Sequence, residues 1–146
     1  QLSPVMNNLL LLQEQYNLLW KSSWLSGLTS GYAFYEGQSV MGSIIGVVYL
    51  TSLNFWRYPI ISWRRTIDMG AVQMCLFYQI YKSRTYRYGN LWMFLTSIAI
   101  TSFMRGCNDH RKGDYWKCTY NHMGLHIISN IANIALIFGE RKYISE

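Results

Sequence analysis

The chain has 146 residues, enough for one domain, with thirteen Lys and Arg against seven Asp and Glu, a formal net charge of +6, and a composition 51% hydrophobic, 16% aromatic and only 14% charged. Soluble domains carry roughly a quarter charged residues, so an ordinary water-facing globular surface is excluded. The twelve Tyr, six Trp and six Phe exclude a disordered segment, and apolar runs much longer than a strand argue against a small sandwich or barrel.

What remains is an all-α chain, and the spacing of its charges predicts a polytopic transmembrane helical bundle of four or five helices. Residues 1–15 are read as an interfacial lead-in: the apolar stretch 7–12 is too short to span and lacks the basic start of a signal peptide. A first helix is expected over 16–35, where Lys21 can snorkel to headgroups, so that this helix either spans or lies in the interface. Twenty uncharged residues separate Glu36 from Arg57 and predict a helix over 38–56. Thirteen lie between Asp68 and Lys82, seventeen between Arg87 and Arg105, and twenty-two between Lys117 and Glu140, giving helices over 66–81, 91–104 and 119–138. A helix in water needs a charged face that recurs every turn, whereas a hydrocarbon core about 30 Å thick needs about 20 residues of apolar helix. The mean hydropathy of +0.03 is low for such a bundle, in part because the scale penalises Tyr and Trp, which bilayers accept at their interfaces. With no repeat, linker or low-complexity stretch, residues 1–146 read as a single membrane-embedded domain.

If the last four helices all span, Arg57, Arg64, Arg65, Arg105, Arg111, Lys112 and Lys117 lie on one side, against Lys82, Arg84, Arg87, Arg141 and Lys142 on the other. Basic loops favour the cytoplasm-like side, and this excess orients the chain only weakly. The charge does not describe a nucleic-acid surface, because no basic helix face or stacking platform is laid out for phosphates. Between the helices over 38–56 and 66–81, Pro59 disfavours helix at Tyr58. The turn is expected to be rigid and interfacial, with Trp56 and Trp63 at the headgroup level. Arg57, Arg64 and Arg65 are then free to meet lipid phosphates, an acidic partner or Asp68, and a pairing of Arg64 or Arg65 with Asp68 is expected. Cys75, Cys107 and Cys118 show no CxxC or zinc-finger spacing. They read as three free thiols, with a Cys107–Cys118 disulfide as the alternative.

Polar residues within apolar windows carry the functional information, since burying them in lipid is costly without partners, water or a metal. Ser52 lies about one turn from the end of its helix, Asp68 opens the next, and His122 and His126 occupy the first two turns of the last. Alternating helix direction brings all four to one membrane level. Histidines at i and i+4 share a helix face, a spacing that can present two imidazoles to one Zn²⁺. Each residue also has a plainer role. Ser52 can bond its own backbone, Asp68 can pair with arginines at a helix start, and the histidines can pack between helices in a polar stripe continued by Asn130 and Asn133.

The runs Ser52-Leu53-Asn54-Phe55-Trp56, Thr66-Ile67-Asp68-Met69-Gly70-Ala71-Val72 and His122-Met123-Gly124-Leu125-His126 resemble the CREST group of membrane hydrolases, which includes alkaline ceramidases and the progestin and adipoQ receptors. The resemblance covers about twenty-five residues. It implies a zinc-dependent hydrolase of lipid amides or esters, with Zn²⁺ on His122 and His126, Asp68 as third ligand or base, and Ser52 holding substrate or oxyanion. His110 or Asp109 would be further ligand candidates. Trp56 stands where the family has its first zinc histidine, and the family's seven helices exceed the four or five expected here.

The reading from the residues themselves is a non-catalytic subunit that packs against other transmembrane subunits and lipid. Gly42, Ser43, Gly46, Asn130 and Asn133 are the materials of helix association in a membrane. A His-ligated pigment or haem is supported only by the two histidines.

Overall fold

The computed structural model describes residues 9–141; residues 1–8 of the expected lead-in, and Lys142, lie outside the described residues. The described residues form five α-helices: α1 (Gln13–Tyr35), α2 (Ser39–Trp56), α3 (Trp63–Ser83), α4 (Gly89–Arg111) and α5 (Tyr115–Arg141). Each predicted window contains one helix, and several helices run past their charge-free gaps. α4 continues through Arg105 to Arg111 and α5 begins before Lys117, because a charge at a helix end is no barrier to helix. At 1.5 Å per residue, the 18 residues of α2 and 27 of α5 extend about 27 and 40 Å. By length and composition α2 and α5 are apolar enough to cross a membrane. α1, α3 and α4 are long enough but more polar.

The turns follow from local chemistry. Gly37 and Gly113 sit at φ of 81° and 80°, left-handed conformations that only glycine adopts without strain, and they close the α1–α2 and α4–α5 connections. Ser62 precedes α3 in an extended conformation, and Pro59, which cannot continue a helix, separates α2 from α3.

Side-chain pairings fix the order of packing. α1 lies between α2 and α5, α3 packs on the far side of α2, and α4 on the far side of α5. The pairs Thr51–Asp68 and Gln79–Met41 run in opposite senses along α2 and α3; Ser102–Asn121 and Trp92–Asn133 do the same for α4 and α5. α1 and α5 run parallel, since Ser22 meets His126 and Thr29 meets Asn130. α3 and α4, although joined by a short turn, share the thinnest packing, so the bundle is a ring left loosely closed along that seam. Ala33, Met41, Ile45, Cys75, Trp92 and Leu136 draw all five helices into one cluster at one end. Leu19, Phe55 and Trp56 form a smaller cluster at the other.

The N-terminal lead-in is tied to that second end. Leu9 pairs with Ile60, Leu10 donates its N–H to the Pro59 carbonyl at 3.0 Å, and the Leu10 carbonyl lies 3.0 Å from Nε2 of His110 on α4. Leu11 inserts into the cluster, and Gln15 Oε1 accepts from the Leu12 N–H where α1 begins.

The distribution of polarity is inverted relative to a water-soluble bundle. Buried positions include Gln15, Ser23, Thr29, Ser52, Asp68, Gln79, Thr119 and Asn130, while Leu28, Leu50, Ile67, Phe77, Phe94, Met104 and many other large apolar side chains face outward. A soluble monomer rarely exposes contiguous apolar surface on this scale. Leu136 is wholly buried and Ile131 is 52% exposed. Leu136→Ala is therefore expected to lower stability by about 2–5 kcal/mol, and Ile131→Ala by less than about 1 kcal/mol, as read from thermal unfolding of the purified chain.

Candidate functional site

The polar residues singled out by the sequence fall into two groups rather than one. The first joins α2 to α3. Ser52 Oγ donates to Asp68 Oδ1 at 2.7 Å and Thr51 Oγ1 donates to the same oxygen at 2.9 Å. Ser52 and Asp68 are both buried, at 7% and 8% exposure. Two hydroxyls on successive residues of α2 reach one carboxylate because the first turns of α3 pack antiparallel to the last turns of α2. The expected ion pair is not formed: Asp68 is held by hydroxyls, and among the described residues neither Arg64 nor Arg65 pairs with it. Both arginines precede Asp68 by about one turn on α3, where the guanidinium of Arg64 lies 5.8 Å from the centre of the Trp63 ring and Arg65 is exposed. Arg57 is also exposed and follows the end of α2.

The second group lies on α5. His122 and His126 share one face of α5 and meet edge to face, with ring centres 5.1 Å apart. The His126 Nδ1 lies 2.7 Å from Ser22 Oγ of α1. His122 sits among aromatic rings, with Trp56 at 4.9 Å and Phe103 at 5.7 Å. Trp56 is thus 6% exposed and turned into the bundle, not outward at the headgroups as expected. Its partner in that expectation, Trp63, is 64% exposed. The inward turn follows from the helix: Trp56 lies one turn beyond Ser52 and shares its inward face.

These residues do not fit a zinc shell. Among the described residues no three His, Cys, Asp or Glu side chains gather closely enough to hold a metal ion, so Asp68 does not join His122 and His126. The place that the resemblance assigns to a third histidine holds the Trp56 indole, whose ring nitrogen is a donor only. The other ligand candidates are engaged elsewhere: Asp109 Oδ2 accepts from Asn121 Nδ2 at 2.8 Å, and His110 holds the Leu10 carbonyl. Cys75, Cys107 and Cys118 are free thiols.

The histidines belong to a longer polar seam. Thr29 Oγ1 donates to Asn130 Oδ1 at 2.8 Å, and Asn130 Nδ2 reaches Ser26 Oγ at 3.3 Å and the His126 carbonyl at 2.7 Å. Trp92 Nε1 donates to Asn133 Oδ1 at 3.3 Å. Ser30 Oγ donates to the Gly42 carbonyl at 2.7 Å, with Gly46 leaving room beside it. Ser22, Ser26 and Thr29 escape a reading based on single residues, yet their spacing of four and three repeats that of His126, Asn130 and Asn133 on the helix they meet. Thr51 escapes it too, and its signal is adjacency to Ser52.

Comparison with protein families, with curated proteins and with solved structures gives no match. What the site can do therefore follows from its chemistry alone: it offers hydrogen-bonded clamps between helices. Hydrogen bonds of this kind contribute about 1–3 kcal/mol when one partner is charged or buried. Asp68→Ala is expected to destabilise the fold by that amount, and a double-mutant cycle with Ser52→Ala should return a coupling on the order of 1 kcal/mol. Additivity of the two substitutions in chemical denaturation would show that the contact holds nothing.

Proposed function

We propose that the chain is a small multi-pass integral membrane protein that serves as a non-catalytic subunit, packing against lipid and other transmembrane helices. The observation that carries this reading is the inversion of polarity: hydroxyl, amide, imidazole and carboxylate groups are paired inside the bundle, and large apolar side chains cover its outside. In water the outer face would drive aggregation; in hydrocarbon it is the favourable surface, and the interior pairs are what hold helices together where lipid removes the hydrophobic drive between them.

The membrane supplies the missing rationale for the composition. Lys and Arg concentrate in the turns and helix ends, and the charge-free centres of α2 and α5 match the thickness of a bilayer core. Trp63, Tyr81, Tyr115 and Trp116, exposed near helix ends, stand where aromatic rings anchor at headgroups. The paired histidines act as interhelical contacts: His126 ties α5 to α1 through Ser22, and His122 fills the space between Trp56 and Phe103. The hydrolase implied by the CREST resemblance lacks its third metal ligand here.

Native membranes treated with alkaline carbonate should retain the chain in the pellet, and detergent should release it. Gentle solubilisation should recover it within a larger assembly, and His122→Ala should leave that recovery unchanged. Release by carbonate alone would refute the embedded reading. Stoichiometric zinc lost on His122→Ala, together with cleavage of a lipid amide, would refute the non-catalytic one.

A further inference from the structure

Cys107 and Cys118 are reactive side chains for which the polar seam has no use. Both are half-buried free thiols. Each lies within two turns of the connection at 112–114, where Arg111, Lys112 and Gly113 are exposed. Cys75, the third thiol, is buried in the larger cluster at the other end of the bundle.

The register of the α4–α5 hairpin sets the two thiols opposite each other. On α4, Phe103, Cys107 and His110 are spaced by four and three and share a face. On α5, Tyr115, Cys118 and His122 are spaced by three and four and share a face too. The helices are antiparallel, and the outer members of the two rows meet: Phe103 with His122 at 5.7 Å and His110 with Tyr115 at 5.2 Å between ring centres. The middle members, Cys107 and Cys118, therefore occupy the rung between those contacts. The backbones run close at this rung. A β-carbon at Gly106 would stand 3.3 Å from the Cys118 carbonyl oxygen and 3.3 Å from Asn121 Cβ, a space that glycine leaves free. Cys107 and Asp109 are also the groups that act electrostatically on the Cys118 thiol.

We infer that Cys107 and Cys118 are a disulfide-forming pair, closed by exchange with a small-molecule disulfide of the glutathione class, and that the bond pins the end of α4 to the start of α5. A disulfide needs Cα atoms about 4.4–6.8 Å apart, a separation that two helices reach where a glycine removes the side chain between them. The thiolate of one cysteine attacks a sulfur of the small disulfide, expelling one thiolate and leaving a mixed disulfide on the protein. The thiolate of the other cysteine attacks the protein sulfur of that bond and expels the second half. The pair loses two electrons and two protons, and the small disulfide takes up both as two thiols. His110 lies one turn beyond Cys107 and holds the Leu10 carbonyl at 3.0 Å, so the pinned turn is the one on which the N-terminal strap rests. The pair lies beside the exposed connection whether or not the helices cross a bilayer, and the inference is independent of the membrane-embedded reading.

The test uses the full chain in mild detergent, equilibrated from both the reduced and the oxidised side with buffers of graded reduced-to-oxidised glutathione ratio. Free thiols are then alkylated and the chain is mapped by mass spectrometry. A Cys107–Cys118 link within one chain is expected, with Cys75 alkylated once the chain is unfolded for mapping. The folded chain should keep that link at a ratio at least about tenfold more reducing than the one that opens it in guanidinium, because the hairpin raises the effective concentration of one thiol at the other. Cys107→Ser and Cys118→Ser should each abolish it, and Cys75→Ser should leave it in place. Gly106→Val, which pushes the helices apart, should move the midpoint toward that of the unfolded chain. Hydrogen exchange around Lys112 should slow when the link forms. Three alkylated thiols at every ratio, a link to Cys75, bonds only between copies, or a midpoint equal to that in guanidinium would overturn the assignment.

Discussion

The seam between α1 and α5 is the contact on which the rest of the bundle depends. It is the one parallel pairing among close neighbours, and it joins the first helix to the last. Ser22 meets His126, and Ser26 and Thr29 meet Asn130, so these polar groups are answered in register across the two helices. With α1 held this way, α2 is presented on one side and α5 presents α4 on the other. α3 is then carried mainly by α2, through Asp68 with the hydroxyls of Thr51 and Ser52 at one end and Gln79 with Met41 at the other, and packs only thinly on α4. An outside made of Leu, Ile, Phe and Met has no use for polar side chains, and an interior that pairs them gains direction and register, because hydrogen bonds are geometrically selective where apolar contacts are not.

The helices were legible in the sequence because charges cannot recur along a face that meets lipid or a packed core. Their ends were less so. A gap between charges measures the apolar stretch, and α4 runs past Arg105 while α3 already contains Arg64 and Arg65. Depth was legible too: Ser52 and Asp68, placed at one level by alternating helix direction, do meet. Direction around the helix axis was not. The sequence places Asp68, His122 and His126 at a similar height, but whether they converge depends on which helices are neighbours, and α3 packs on α2 and α4 rather than on α5. The same uncertainty governs Trp56, where a general preference of indole for interfaces yields to the particular contacts of an inward-facing helix position.

The contrast between the two ends of the bundle follows from this order. All five helices contribute to the cluster around Trp92 and Leu136, whereas the other end relies on Leu19, Phe55 and Trp56 with help from Leu11. The loosely packed α3–α4 seam makes α3 the element with least to lose on moving, and the Asp68 contacts the main restraint on it.

The strap at residues 9–12 has a temporal meaning. Its bonds are to Pro59 and Ile60 and, through Leu10, to His110. In a chain synthesised from its N-terminus, Leu9 and Leu10 precede their partners Pro59 and Ile60 by about fifty residues and His110 on α4 by a hundred. The docking of the strap is therefore complete only once α4 has been made, and it closes the end of the bundle with the smaller core. In the finished protein this short segment spans the α2–α3 turn and α4 with Leu11 in the smaller core beneath it, so it ties together helices that a long stretch of chain separates.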